Sequence, residues 1–441
     1  MDQMDGELDS SSEAGSECQK VKLKILFKMY LTQLLAKKRA KFLYRISHYT
    51  ERSDFFIIQR YFEKIYALHY TARGWRDRTL WYLYRALYGL IYLSYIYKTY
   101  WVVHHSQDSF SSANIFGVMW FFSAVILRVV ILEWHYPLME RLQHFLNDHS
   151  YQRRNPWTMA KRAEFYRRTN RVILAVMAIN FVEIVCFTAT NVMKLEDFML
   201  RWRGEIVSSR LVQIVYGVLT MGWGGMYCMG FMVCYLLMCI FNVEVDILLH
   251  SLEDIGRGVR SEKRLGFEDG EDIFWNNIVH QLRPHMERLE ELFVHLQQLK
   301  TVIGPIAFVQ YYSTYLVIAD CCFILASHGL SSFSIVYLIS MVVFLTEFFF
   351  LCHSVESLRD LKPRVSSALY DFDWMLRMRC SNERQMPQYR HVRRTFLLIT
   401  AHSDQAIRFS FAGIGEISMN SFAQLLERSY SMLTFLLQFA K

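Results

Sequence analysis

Seven mainly apolar stretches, separated by more polar segments, run along the chain from about residue 80 to its end. A helix needs about 20 mostly apolar residues to cross a membrane, and each stretch is long enough. The seven predicted spans cover about Leu80–Val103, Asn114–Trp134, Val172–Met193, Leu211–Phe241, Val302–Ser327, Phe333–Cys352 and Glu416–Phe439. The pattern therefore predicts an all-α, polytopic membrane protein with seven transmembrane helices.

Lysine and arginine fall mainly in every second segment between these spans. They crowd before the first span and into the loops between spans two and three, four and five, and six and seven, whereas residues 104–113 and 328–332 contain none. Because basic residues mark the cytosolic loops of membrane proteins, we predict a cytosolic N-terminus and an extracellular C-terminus. This orientation is the reverse of that of a G-protein-coupled receptor, so no G protein is expected to be required.

The charged segments also suggest how the chain is divided. A cytosolic N-terminal region is predicted first, with an acidic, serine-rich and disordered start. Cytosolic extensions of the spans are expected to form a helical anchor of the kind that joins subunits. A lone amphipathic hairpin on the membrane surface is the alternative. The predicted regions are residues 1–78 (disordered over 1–17), 79–355 with spans one to six and a long cytosolic helical segment at about 242–300, 356–405 as the cytosolic anchor, and 406–441 with the seventh span.

The composition agrees with a membrane protein and argues against other classes. Apolar residues make up 53% and charged residues 20% of the chain, against about 25% charged residues in a soluble domain. The net charge of +8 falls mainly in the cytosolic loops, where it suits anionic membrane lipid rather than nucleic acid. Most of the cysteines lie in apolar stretches, so no metal site or cofactor is expected. Because no nucleophile–base pair or phosphate-binding loop is found, no enzyme and no catalytic residue are predicted.

Four charged residues fall inside predicted spans, namely Arg128, Glu183, Asp320 and Glu347. Charged side chains are costly in hydrocarbon and often mark a functional site. Buried pairing between helices, or a position near a helix end, is the alternative interpretation. Together the four residues could form a proton relay, but no chain of acidic and histidine residues follows one helix face. An ion-coupled transporter therefore remains an alternative function.

The last predicted span carries a mixed stripe of polar and bulky apolar residues. Glu427, Ser431, Phe435, Gln438 and Phe439 recur at spacings that place them on one side of a helix. Such a stripe suits a helix that lines a water-filled path, and several copies around an axis would form a pore with an apolar constriction. Ordinary packing inside a seven-helix bundle is the competing interpretation.

Two segments near the C-terminal end carry motifs in a distinctive order. In SMNSFAQLLERSYSMLTFLLQF (Ser418–Phe439), a phenylalanine precedes a Ser-Tyr-Ser run and an apolar end. LCHSVESLRDLKPRVSSALYDFDW (Leu351–Trp374) contains a Cys, then a Glu, and ends with Ala-Leu-Tyr followed by Trp. The first segment resembles the closing signature of insect odorant receptors, and the second is similar to the pattern that follows their sixth span.

The related gustatory receptors end in Thr-Tyr, five apolar residues and Gln-Phe. Here Gln438 and Phe439 fit that ending, but Ser431 and Met432 replace the Thr-Tyr pair. The odorant branch is therefore favoured, with a gustatory-type ligand-gated channel as an alternative. The family's shared co-receptor has a longer, distinctive loop between spans four and five, so this chain looks like a ligand-tuning subunit.

The resemblance implies an odorant-gated, non-selective cation channel that works as a tetramer in the plasma membrane of sensory-neuron dendrites. Its partners would be a small volatile odorant and the co-receptor subunit in a heterotetramer, or further copies of itself. The seventh helices would surround the pore, with Phe435 and Phe439 at the outer gate beside Gln438. The family's ligand pocket lies among spans two, three, four and six. That region here contributes Ile115, Met119, Trp120, Phe187, Thr190, Tyr216, Thr220, Met221, Phe333, Val336, Tyr337 and Met341.

Overall fold

The structure, a computed structural model, is mainly helical. It describes residue 33 and residues 36–72, 74–105, 109–148, 150–189, 199–202, 205–263, 271–329, 332–370, 386–403 and 407–439. The contacts divide the chain into two units, Met1–Ser53 and Asp54–Lys441. In the first unit, residues 36–47 form helix α1. All elements named below belong to the second unit.

Ten helices and one short hairpin are described in the second unit. The helices are α2 (Ile57–Ile65), α3 (Trp75–His105), α4 (Ser109–Leu146), α5 (Pro156–Ala189), α6 (Arg210–Lys263), α7 (Glu271–His328), α8 (Ser332–Arg359), α9 (Leu361–Tyr370), α10 (Met386–Ser403) and α11 (Met419–Phe439). Strands β1 (Arg201–Trp202) and β2 (Glu205–Ile206) pair antiparallel between α5 and α6, with Arg201 opposite Ile206.

Five of the described helices are long and apolar enough to cross a membrane. These stretches are Asn114–Leu146, Pro156–Cys186, Arg210–Ile255, Val279–Ala326 and Tyr337–Tyr370. They overlap predicted spans two to six and confirm a mainly helical, polytopic membrane protein. The first and seventh predicted spans fall in α3 and α11, and they stay predictions, as does the orientation of the termini.

Helix α3 carries a row of exposed leucines. Leu80, Leu83, Leu87, Leu90 and Leu93 recur at helical spacing, and each is between 45% and 66% exposed. Soluble proteins rarely leave so extended an apolar face in water. The row is the kind of surface that lipid would cover.

Helices α6 and α7 form the centre of the second unit. In their most apolar stretches, 72% and 67% of the residues are buried, against 28–39% in α4, α5 and α8. Helix α6 has 54 residues and α7 has 58, so each is roughly 80 Å long at about 1.5 Å per residue. Both therefore extend far beyond the ~30 Å hydrocarbon layer of a bilayer.

A buried ionic cluster ties α5, α6 and α7 together beyond the predicted spans. Arg162 donates two hydrogen bonds to the Glu244 carboxylate, from Nε at 2.9 Å and from Nη2 at 3.0 Å. Arg288 adds a third contact at 3.3 Å. Glu244 is 1%, Arg162 0% and Arg288 6% exposed. We call these three residues the Glu244 cluster.

The last helix begins later than the sequence predicted, at Met419 rather than at about Glu416. Glu416 instead pairs with Ser410 in an isolated β-bridge, which keeps its backbone extended. Ser418 then caps the helix, because its Oγ accepts the backbone N–H of Ser421 at 3.3 Å.

Candidate functional site

A cavity of about 140 Å³ lies among five helices of the second unit. Helices α4, α5, α6 and α8 surround it and α7 closes one side. Its walls are mainly apolar, with two carboxylates among them. The lining residues are Gly117, Val118, Phe121 and Phe122 of α4, Asn180, Glu183 and Ile184 of α5, Thr220, Met221, Gly224, Tyr227 and Cys228 of α6, Val317, Asp320 and Cys321 of α7, and Tyr337, Ser340, Val343 and Phe344 of α8.

Three aromatic rings form one wall of the cavity. The ring centroids of Tyr227 and Phe344 lie 4.5 Å apart, and Phe121 lies 5.5 Å from the first and 5.8 Å from the second. Edge-on and tilted arrangements at such distances are favoured for aromatic pairs. The wall is therefore a packed aromatic surface contributed by three separate helices.

The carboxylate of Asp320 faces α4 at the one point where that helix has no side chain. A Cβ added at Gly117 would overlap the Asp320 carboxylate. Asp320 is half-buried by its accessible surface and lines the cavity. No hydrogen bond or ion pair joins Asp320 to any side chain that the structure describes. Glycine at position 117 thus makes room for a carboxylate that has no partner of its own.

The second carboxylate of the lining, Glu183, has one partner. Ser340 donates a hydrogen bond from its Oγ to Glu183 Oε1 at 2.6 Å, joining α8 to α5. A hydroxyl satisfies one lone pair but supplies no positive charge. The cavity therefore contains two carboxyl groups and, among its lining residues, no lysine, arginine or histidine.

Arg128 and Glu347 meet next to the cavity, behind the ring of Tyr227. Their closest atoms, Nη1 and Oε2, are 3.9 Å apart, and both side chains are buried. Arg128 Nη1 also donates to the backbone carbonyl of Tyr227 at 2.7 Å, and its guanidinium lies over the Tyr227 ring. Gln310 bridges the pair, accepting from Arg128 Nη2 and donating to Glu347 at 3.3 Å.

Three of the residues predicted to contact a ligand line the cavity. They are Thr220 and Met221 of α6 and Tyr337 of α8. The hydroxyl of Tyr337 donates to Asn114 Oδ1 at 3.1 Å, which links α8 to α4. Met341 packs against the buried cluster that contains Tyr337 but does not itself line the cavity.

Other predicted contact residues lie away from the cavity. Ile115 is fully buried, Trp120 is 37% exposed and Met119 is half-buried. The Tyr216 hydroxyl lies 3.0 Å from Ser94 Oγ, so this side chain packs towards α3. Outside the described part of the chain fall Thr190 and the side chains of Phe187, Phe333 and Val336. A ligand contact at each of these positions stays a prediction.

Sequence reasoning missed the contribution of α7. Val317, Asp320 and Cys321 of this helix line the cavity, although the pocket was predicted among spans two, three, four and six. The charge of Asp320 inside an apolar run was the available signal. Gly117 precedes Asp320 by more than 200 positions in the sequence. A helix pattern therefore could not predict that the two residues lie opposite each other.

Helix α11 has one face packed on α7 and a neighbouring face exposed. Ser421, Leu425 and Ser429 are buried, and Ser429 Oγ lies 3.5 Å from the backbone carbonyl of Tyr315 on α7. Of the predicted pore stripe, Glu427, Ser431, Phe435 and Gln438 are exposed. The side chain of Phe439 falls outside the described residues. The four described side chains of the stripe thus lie on an exposed side of α11, apart from the buried face of Ser421, Leu425 and Ser429.

Comparison with known proteins connects this architecture to one family. Residues 106–430 match the family model described as 7tm odorant receptor. The structure of the insect olfactory receptor OR5 from Machilis hrabei in complex with eugenol aligns with a TM-score of 0.65 and 12% identity, covering 88% of this chain and 100% of that chain.

A second structure of OR5 from Machilis hrabei aligns with a TM-score of 0.61 and 11% identity over the same shares of the two chains. At these identities the likeness concerns the fold. A comparison with curated protein sequences finds no match.

Proposed function

The chain belongs to the 7tm odorant receptor family, and from this premise we propose that it is the ligand-tuning subunit of an odorant-gated, non-selective cation channel. It is a receptor and not an enzyme. The subunit works in a tetramer, with the family's co-receptor or with further copies of itself. It resides in the plasma membrane of sensory-neuron dendrites, with the N-terminus in the cytosol.

The cavity among α4 to α8 is the observation that carries the proposal. Its aromatic wall suits a small molecule whose binding is driven by burial of apolar surface, worth about 25 cal/mol per Å². An apolar cavity of about 150 Å³ is large enough to hold benzene, so a volatile compound matches the volume found here. The solved complex of OR5 with eugenol contains an aromatic ligand of this general kind.

Helix α7 supports a route from the cavity to the pore. One end of its apolar segment contributes Asp320 to the cavity, and Tyr315, little more than one turn away, contacts Ser429 of α11. A ligand opens a channel when it binds the open state better than the closed state. A shift of α7 on ligand binding would therefore reach the helix that we assign to the pore.

Two surfaces support assembly with other subunits. The first is the exposed stripe of α11. The second is an open groove of about 830 Å³ on the part of the chain assigned to the cytosolic anchor. Phe293 of α7, Lys362 of α9 and Val392 of α10 are among its lining residues. Neighbouring subunits around a central pore would cover both surfaces.

The test is whole-cell current in cells that express this chain with and without the co-receptor, challenged with a panel of volatile compounds. We expect a ligand-evoked, non-selective cation current that persists when G-protein signalling is blocked. Dependence on the co-receptor would define the assembly. No current in either condition, with the protein present at the cell surface, would contradict the channel.

Within that assay, Tyr337→Ala tests the cavity as the ligand site. The substitution removes an aromatic ring from the lining, so we expect a rightward shift of the dose–response curve of about tenfold, the equivalent of one buried contact. Tyr82→Ala, which truncates a tyrosine that is 61% exposed on α3, is the matched control and should leave potency unchanged. Equal potency in wild type and Tyr337→Ala would remove this residue from the site.

Phe439→Ala tests the gate. If Phe439 stands at the apolar constriction, a smaller side chain lets water enter the closed pore, and current without ligand should rise. Tyr430→Ala, on an exposed face of α11 outside the stripe, is the control and should leave basal current low. Unchanged leak and unchanged gating in Phe439→Ala would refute the assignment.

A further inference from the structure

The charge distribution of the cavity indicates a ligand class. Apolar ligands need no charged residue in their site, yet Asp320 and Glu183 both line this cavity and no basic side chain lines it. A carboxylate buried without a cation or a full set of hydrogen bonds is costly. A ligand that brings a positive charge and N–H donors removes that cost when it binds.

We propose that the cavity binds small organic amines as ammonium ions, with Asp320 as the counter-ion. The inference rests on the proposed function, because it takes the cavity to be the ligand site. Charge-assisted hydrogen bonds from an ammonium to a carboxylate are short and roughly twice as strong as neutral ones. Asp320 is the better acceptor of the two carboxylates, since Ser340 already occupies one oxygen of Glu183.

Gly117 is the feature that makes the carboxylate of Asp320 available. A larger residue at this position would overlap the carboxylate and force it to another rotamer. Gly117 therefore leaves space for the acid, and no described side chain donates a hydrogen bond to it.

The aromatic wall reinforces recognition of a cation. Phe121 and Phe344 belong to the ring cluster and line the cavity. An ammonium placed against aromatic faces is attracted by the ring quadrupole, and sites for quaternary ammonium groups use the same combination. Tyr227 contributes less, because Arg128 already lies over its ring.

The neighbouring Arg128 does not cancel this preference. It is paired with Glu347 and bridged to it by Gln310, so this group is close to neutral as a unit. It also lies behind Tyr227 and not in the lining. The excess charge at the cavity is thus negative. A metal ion is a poorer occupant, since no group of three or more His, Cys, Asp and Glu side chains that could hold one occurs among the described residues.

Ligands matched in skeleton separate the amine from the alternatives. Benzylamine, benzyl alcohol, benzaldehyde and ethylbenzene share a ring and a one-carbon arm but differ in the terminal group. Cyclohexylamine with cyclohexanol provides a second matched pair. Binding is measured by ligand-induced thermal stabilisation of the full chain, fused to a fluorescent protein and purified with the co-receptor, so that only this chain is followed. Current is recorded in parallel.

We expect each amine to bind at least about tenfold more tightly than its alcohol, the gain typical of a charge-assisted contact. Asp320→Asn should reduce amine binding about tenfold and leave ethylbenzene binding within about twofold of wild type. Gly117→Ala keeps the charge but displaces the carboxylate, so it should weaken amine binding selectively as well. It provides the same test if Asp320→Asn does not fold.

The outcomes distinguish the inference from the function on which it rests. Amines that stabilise the chain, with no current from any compound of the panel, would keep the ligand class and contradict the channel. Alcohol- or hydrocarbon-evoked current with no amine preference would keep the channel and overturn the inference. Preferred binding of benzaldehyde would show instead that the acid acts as a neutral hydrogen-bond donor. An amine affinity that is equal in wild type and both variants, or absent in wild type, would also overturn it.

Discussion

Glu244 and Asp320 are both carboxylates enclosed by helices of the second unit, yet their surroundings are opposite. Glu244 receives three contacts within 3.3 Å from Arg162 and Arg288. Asp320 receives none from the described residues and faces a cavity. A buried charge that is fully paired holds helices in register, whereas a buried charge without a partner leaves binding capacity for something that enters.

Glu347 lies between these two cases. Arg128 is its only nearby cation among the described side chains, at 3.9 Å, and Gln310 supplies the direct hydrogen bond. One of its carboxylate oxygens, Oε1, has no hydrogen-bond partner in the described structure. The three acids thus form a series from complete to partial to absent pairing. The same change from carboxylate to amide should have a different effect on stability at each position.

The largest effect is expected for Glu244→Gln. The amide leaves the buried Arg162 without its acidic partner and Arg288 with only the exposed Glu291 at 3.2 Å, and breaking such a buried pair costs about 3–5 kcal/mol. We expect a large fall in the apparent unfolding temperature of the solubilised chain and little protein at the cell surface. Glu287→Gln is the matched control, because Glu287 pairs with Arg283 at the same 2.9 Å but with both side chains exposed.

That control should unfold at the wild-type temperature, since exposed pairs contribute little. If Glu244→Gln were equally stable, the Glu244 cluster would not hold α5, α6 and α7 together. The paired acid would then have no stabilising role to set against the unpaired one.

A smaller loss is expected for Glu347→Gln. The amide keeps the bridge to Gln310 but leaves Arg128 with its carbonyl and ring contacts alone, so we expect a loss of about 2 kcal/mol. Arg128→Met combined with Glu347→Gln removes both charges, and it should recover part of the loss. A double variant less stable than either single variant would show that the two side chains do not act as a pair.

Sequence patterns predict the helices better than they predict these contacts. Apolar runs of about 20 residues identify the cores of α4 to α8. A chain in hydrocarbon must make its backbone hydrogen bonds internally, so such a run forms a helix. The start of α11 differs by three residues because a bridge from Ser410 to Glu416 depends on a turn and not on hydropathy. The full lengths of α6 and α7 are only partly visible in the sequence, where charged residues replace the apolar ones.

The candidate site is predicted less completely, because it depends on which helices meet. The four intramembrane charges stand out in the sequence, but their partners do not. Arg128 and Gln310 are 182 positions apart, and Glu183 and Ser340 are 157 apart. Glycine at position 117 carries no signal of its own. Its role follows from the packing of α4 on α7, which brings its backbone against Asp320.

The smallest effect, and the one of opposite sign, is expected for Asp320→Asn. This change removes a half-buried charge that has no described partner, so it relieves a desolvation cost and breaks no described contact. We expect the ligand-free variant to be within about 1 kcal/mol of wild type, on the more stable side. Asp246→Asn is the matched control: Asp246 pairs with Lys161 at 3.3 Å and Arg364 at 2.5 Å, so its loss should lower stability by about 0.5–1 kcal/mol. Thermal unfolding of both variants without ligand gives the comparison. A clear loss of stability in Asp320→Asn would mean that this carboxylate has a structural partner, and it would then belong with Glu244 rather than with the ligand site.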